Sequence, residues 1–61
     1  KVYQFKVTSR STPVFTVATV GTLKPVRVSG HDYFYKVTAT SNKGDHGVYV
    51  NGAKIAHCIF A

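Results

Sequence analysis

Residues 33–40 place Tyr33, Tyr35, Val37 and Ala39 on one side of an extended chain and Phe34, Lys36, Thr38 and Thr40 on the other. Side chains of a β-strand point alternately to its two faces, so this segment predicts a strand with a core face and a wet face. The same period recurs over residues 2–8, where Tyr3, Phe5 and Val7 alternate with Gln4, Lys6 and Thr8. Nowhere do apolar residues recur at helical spacing over a useful length. The pattern predicts an all-β chain.

Turn residues divide the rest. The run Ser9-Arg10-Ser11-Thr12-Pro13 ends the first strand, because Pro13 cannot donate to a ladder. A second strand is expected over 14–20, with Phe15 and Val17 on one face, and Gly21 is expected to end it. A third, over 24–28, would turn Val26 and Val28 inward and Arg27 outward, with Pro25 placing it at an edge. Ser29-Gly30-His31-Asp32 reads as a tight turn before the strand over 33–40.

Asn51-Gly52 between the segments 47–50 and 53–60 is a strong hairpin signal, since both residues accept the positive φ of a type I′ turn. A two-residue turn sets Val50 opposite Ala53, Tyr49 opposite Lys54 and Val48 opposite Ile55. Val48, Val50, Ala53 and Ile55 would then share the buried face. Six short strands in one small chain predict two packed sheets or a small barrel.

The 61 residues suit one domain, 1–61, and a domain of this size buries only about 60% of its unfolded surface. A catalytic cleft walled on all sides does not fit in it. With 44% hydrophobic residues the chain can still pack a core. Eight Lys and Arg against two acidic residues give a net charge of +6, which attracts acidic partners. No apolar run approaches the roughly 18 residues of a membrane-spanning helix, so no span is expected. Cys58 is the only cysteine, which excludes a disulfide within the chain.

The residues that could carry chemistry are scattered. His31, His46 and His57 lack the close pairing of zinc ligands, although the hairpin register would set His46 opposite His57. They are expected to be solvated or half-buried. His57 and Cys58 are neighbours on a strand, point to opposite faces and cannot form a base and nucleophile. Cys58 is expected to be a half-buried structural thiol, and Asp32 and Asp45 to serve their turns through local hydrogen bonds. None of the glycines precedes a helix in the manner of a phosphate loop. No enzyme activity, cofactor or metal is expected.

The segments Val28-Ser29-Gly30-His31-Asp32-Tyr33-Phe34-Tyr35-Lys36-Val37-Thr38-Ala39-Thr40-Ser41 and Val48-Tyr49-Val50-Asn51-Gly52-Ala53-Lys54-Ile55 resemble the MAX effectors, secreted virulence and avirulence proteins of plant-pathogenic fungi. Both lie within the stretch from Val26 to Ile55, about half of the chain. The resemblance implies a six-stranded antiparallel β-sandwich of two three-stranded sheets, with a small SH3-like barrel as the alternative fold. It also implies a monomer made with a secretion signal and moved into the host plant cell, to its cytoplasm or nucleus. There it would bind a host protein, for which a heavy-metal-associated domain of an immune receptor or a relative is the implied candidate. Many members tie the first strand to the loop before the fifth by a disulfide; here neither segment holds a cysteine, and Cys58 lies elsewhere.

The candidate partner-binding residues are Lys6, Lys24, Arg27, Lys36, Lys54 and Tyr49, with the strands 14–20 and 24–28 as sheet edges able to accept a partner strand. Phe34 and Tyr49 are the candidate exposed aromatics. Two other readings compete. A bacterial SH3-like module that binds cell-wall peptides is suggested by Gly21-Thr22-Leu23 and the valine-rich third strand, against the absence of Trp. A nucleic-acid-binding barrel rests on charge alone.

Overall fold

A computed structural model describes residues 2–61 as seven strands and no helix: β1 Val2–Thr8, β2 Phe15–Val17, β3 Gly21–Leu23, β4 Arg27–Ser29, β5 Asp32–Thr38, β6 Gly44–Val50 and β7 Ala53–Phe60. They form two antiparallel sheets, one in the order β1-β5-β4 and one in the order β3-β2-β6-β7. The sandwich expected from the alternation is present, with three strands in one layer and four in the other.

The extra strand, β3, lies between the expected second and third ones. Thr19 adopts a positive φ of 64° and Gly21 one of 112°, so the chain reverses after Val17 instead of running on to residue 20. Gly21–Leu23 folds back on β2 with Val17 opposite Gly21. Here Gly21 opens a strand rather than ending one. The expected strand over 24–28 shortens to Arg27–Ser29, although the Val26 N–H still donates to the Phe34 carbonyl at 2.7 Å.

The core lies between the sheets. Tyr33, Tyr35 and Val37 enter it from β5; Phe15, Val17, Val48, Cys58 and Phe60 enter from the four-stranded sheet, and all eight are buried. Tyr3, Phe5 and Val7 pack against them at half burial. Phe15 is the hinge of this layer. Its ring stacks on Tyr35 at 4.1 Å between centroids, nearly parallel, and meets Phe5 at 5.6 Å in a tilted contact. Each aromatic contact adds about 0.5–1.5 kcal/mol to the area that the rings bury.

Both tight turns stand where the sequence puts them. Gly30 and His31 join Ser29 to Asp32, and Asn51 and Gly52 take positive φ values of 51° and 84° between the paired residues Val50 and Ala53. Asn51 also fastens the neighbouring chain. Its Oδ1 accepts from the Val14 N–H at 2.9 Å, and its own N–H donates to the Val14 carbonyl at 2.8 Å.

Beyond the turn the expected register fails after two pairs. A β-bulge follows, so Val48 faces Ala56 rather than Ile55, and His46 faces Cys58 rather than His57. Ile55 is therefore 52% exposed instead of buried, and Ala53 is exposed as well. Val26 and Val28, expected inside, are 60% and 51% exposed. Val28 pairs with the buried Tyr33 and so points to the inner side, but β4 is an edge strand and its inner side is not covered.

Candidate functional site

Five of the alternating outward positions converge on one face. Lys6, Phe34 and Arg27 are cross-strand partners in a single row over β1, β5 and β4, and Gln4 and Lys36 form the adjoining row. Neighbouring strands lie about 4.8 Å apart, so Lys6 and Arg27 stand roughly 10 Å apart with Phe34 between them. The Arg27 guanidinium lies 3.9 Å from the centre of the Phe34 ring. Such a contact is worth about 0.5–1 kcal/mol at an exposed site and holds the planar group flat on the sheet. Gln4, Arg27, Phe34 and Lys36 line, together with Val26, an open cavity of about 490 Å³.

Among the described residues no carboxylate neutralises this face. Asp32 accepts a hydrogen bond from the Thr8 hydroxyl at 2.7 Å on the adjacent strand, and Asp45 lies 3.6 Å from His57 on the other sheet. Asp32 thus bonds across strands and Asp45 stands beside a residue of the neighbouring strand, where local bonds within their turns were expected. Among the described residues no Lys or Arg forms an ion pair.

The remaining candidates do not join this cluster. Lys54 and Tyr49 pair with each other on the outer side of the four-stranded sheet, and Lys24 lies in the connection between β3 and β4. Phe34 and Tyr49 are half-buried rather than open platforms. Arg27 covers Phe34, while Tyr49 packs over Gly47 so closely that a Cβ there would meet its ring at 2.9 Å. The expected edge over 14–20 is also corrected: β2 lies between β3 and β6, and the edges are β1, β4, β3 and β7.

Of these edges, β1 is long and open along most of its length. The Ser9 N–H donates to the His31 carbonyl at 2.8 Å, which fixes the alternation of the β1–β5 ladder. Counting back from that pair turns the N–H and C=O groups of Val2, Gln4, Lys6 and Thr8 away from β5. The β7 edge is capped near its end: the Tyr3 hydroxyl donates to the Ile59 carbonyl at 2.8 Å and accepts from the Ile59 N–H at 3.1 Å.

His46 is the residue whose place the sequence did not signal. It is 4% exposed, stacks on Phe60 at 4.2 Å, and its Nε2–H donates to the Asn42 carbonyl at 2.6 Å. Nδ1 meets the Thr19 hydroxyl at 2.7 Å, with the Ala18 carbonyl 2.9 Å away. Partners that consume both ring nitrogens make this a structural histidine. Cys58 is fully buried rather than half-buried, and burial, aided by the charge of Asp45, raises its thiol pKa. His57 is exposed on the opposite face. Among the described residues no group of three His, Cys, Asp or Glu is placed to hold a metal ion, and no helix is long and apolar enough to cross a membrane.

The site and fold define a small antiparallel β-sandwich with a cationic sheet face. Comparison with protein-family models, curated proteins and solved structures finds no match to the chain.

Proposed function

We propose that this chain is a non-catalytic binding domain that recognises another protein along its β1 edge, and that it acts as a secreted effector on a host plant protein. The open edge carries this reading: Gln4 and Lys6 direct backbone donors and acceptors outward beside an unneutralised cationic face. Main-chain pairing with an added strand supplies affinity, and the adjacent side chains supply selectivity. The burial of Cys58 away from His57 supports a role without covalent chemistry.

The test uses Gln4→Pro. Because the Gln4 N–H faces away from β5, proline there removes no ladder bond and is tolerated on an edge strand, yet it obstructs an incoming strand. Calorimetric titration of heavy-metal-associated domains from plant immune receptors and their relatives should give one-to-one binding that Gln4→Pro abolishes while the thermal melt persists. Undiminished binding by the variant removes the edge from the interface. Failure of every such domain to bind removes that class of host target.

A further inference from the structure

We propose that the outer face of the three-stranded sheet, centred on Arg27 lying over Phe34, docks an acidic extended segment of a partner protein. The inference deepens the proposed function and rests on its premise that the partner is a protein. Its ground is charge complementarity in a particular geometry. Lys6, Arg27 and Lys36 surround Phe34, and among the described residues none of them has a carboxylate to satisfy it.

The guanidinium is already oriented by the ring beneath it, so little freedom is lost when its N–H groups bind a carboxylate in a fork. An extended segment presents every second side chain to the same side, at intervals of about 7 Å. Phe34 and Lys36 are likewise two residues apart on β5. One carboxylate of an acidic-x-acidic segment therefore reaches Arg27 over Phe34, and the next reaches Lys36. Val26, 60% exposed on the wall of the same cavity, offers contact to an apolar residue of the partner.

A single-stranded nucleic acid would use the same cations, but it also needs open aromatic faces for its bases. Every one of the eight aromatic side chains is buried or half-buried, and Phe34 already carries Arg27. The occupant that fits is the acidic protein segment.

The experiment measures fluorescence anisotropy of a labelled peptide of alternating Asp and Val against the folded chain, beside a single-stranded oligonucleotide of equal net charge. The peptide should bind more tightly than the oligonucleotide. Arg27→Lys, which keeps the charge and loses the fork, should weaken peptide binding about tenfold, and Phe34→Leu should weaken it similarly. Lys54→Glu, on the other sheet, should have a much smaller effect. Equal losses from Lys54→Glu and Arg27→Glu would mean general charge attraction and overturn the proposal, as would full affinity in both Arg27→Lys and Phe34→Leu. No peptide binding alongside intact capture of a host domain overturns this proposal and leaves the proposed function standing. Tighter binding of the oligonucleotide overturns both.

Discussion

Two aromatic stacks share the core, and they treat their polar atoms in opposite ways. Where Phe15 lies on Tyr35, the Tyr35 hydroxyl is buried without a hydrogen-bond partner. Where His46 lies on Phe60, both ring nitrogens are engaged by Asn42, Ala18 and Thr19. A buried polar atom without a partner incurs its desolvation cost, whereas a satisfied one fixes what surrounds it. The first stack therefore stabilises through its ring area alone. The second ties two connections to β6: the β2–β3 turn, where Thr19 holds a positive φ unusual for a β-branched residue, and the loop containing Asn42.

Substitutions can break this contrast. Phe15→Ala should be the most damaging, because Phe15 touches both Phe5 and Tyr35; a loss of about 3–5 kcal/mol is expected in urea unfolding. His46→Phe preserves a ring over Phe60 but strands the groups it bonds, and should cost about 2 kcal/mol. Tyr35→Phe, the same kind of replacement at the other stack, should change stability by no more than about 0.5 kcal/mol, or raise it, since no bond is lost. Equal losses at positions 35 and 46 would erase the distinction drawn between them.

A pH titration sharpens the contrast further. Burial raises the pKa of Tyr35 above the ordinary 10.0, with Tyr33 adding to the effect, and that of Cys58 above the ordinary 9.0. Each group loses its proton more readily unfolded than folded. The stability they contribute is complete below about pH 9 and declines as pH rises through the unfolded values toward the folded ones. Chemical unfolding at pH 8 and pH 10.5 should show this decline, and Tyr35→Phe should reduce it.

Local alternation was enough to read β1, β5 and the faces of Phe15 and Val17, because one side of each is covered by the opposing sheet. It misplaced Ile55, since a bulge is a property of the pair of strands and leaves no mark in the period of either one. Val26 and Val28 carry an inward pattern but stand at a margin without cover. The basic residues were legible as a set. Their division between two sheets, and the seating of Arg27 on Phe34, depends on which strands become neighbours, a long-range outcome that composition does not encode. His46 is buried by partners 4 to 28 residues away, beyond the reach of a local pattern.

The order in which strands enter the sheets has a kinetic consequence. One layer draws on the first, fourth and fifth strands and the other on the second, third, sixth and seventh, so no contiguous half of the chain contains a complete layer. Two of the five ladders, β1–β5 and β2–β6, must wait for distant partners, and the Tyr3 hydroxyl meets Ile59 across 56 positions. Such a topology favours slow, all-or-none assembly, on the order of milliseconds to seconds, over stepwise growth from one end. A nascent chain released as far as Thr38 could hold the β1–β5–β4 ladder and the β2–β3 hairpin, but its inner side would lack Val48, Cys58 and Phe60 until β6 and β7 arrived to seal the seam at Tyr3.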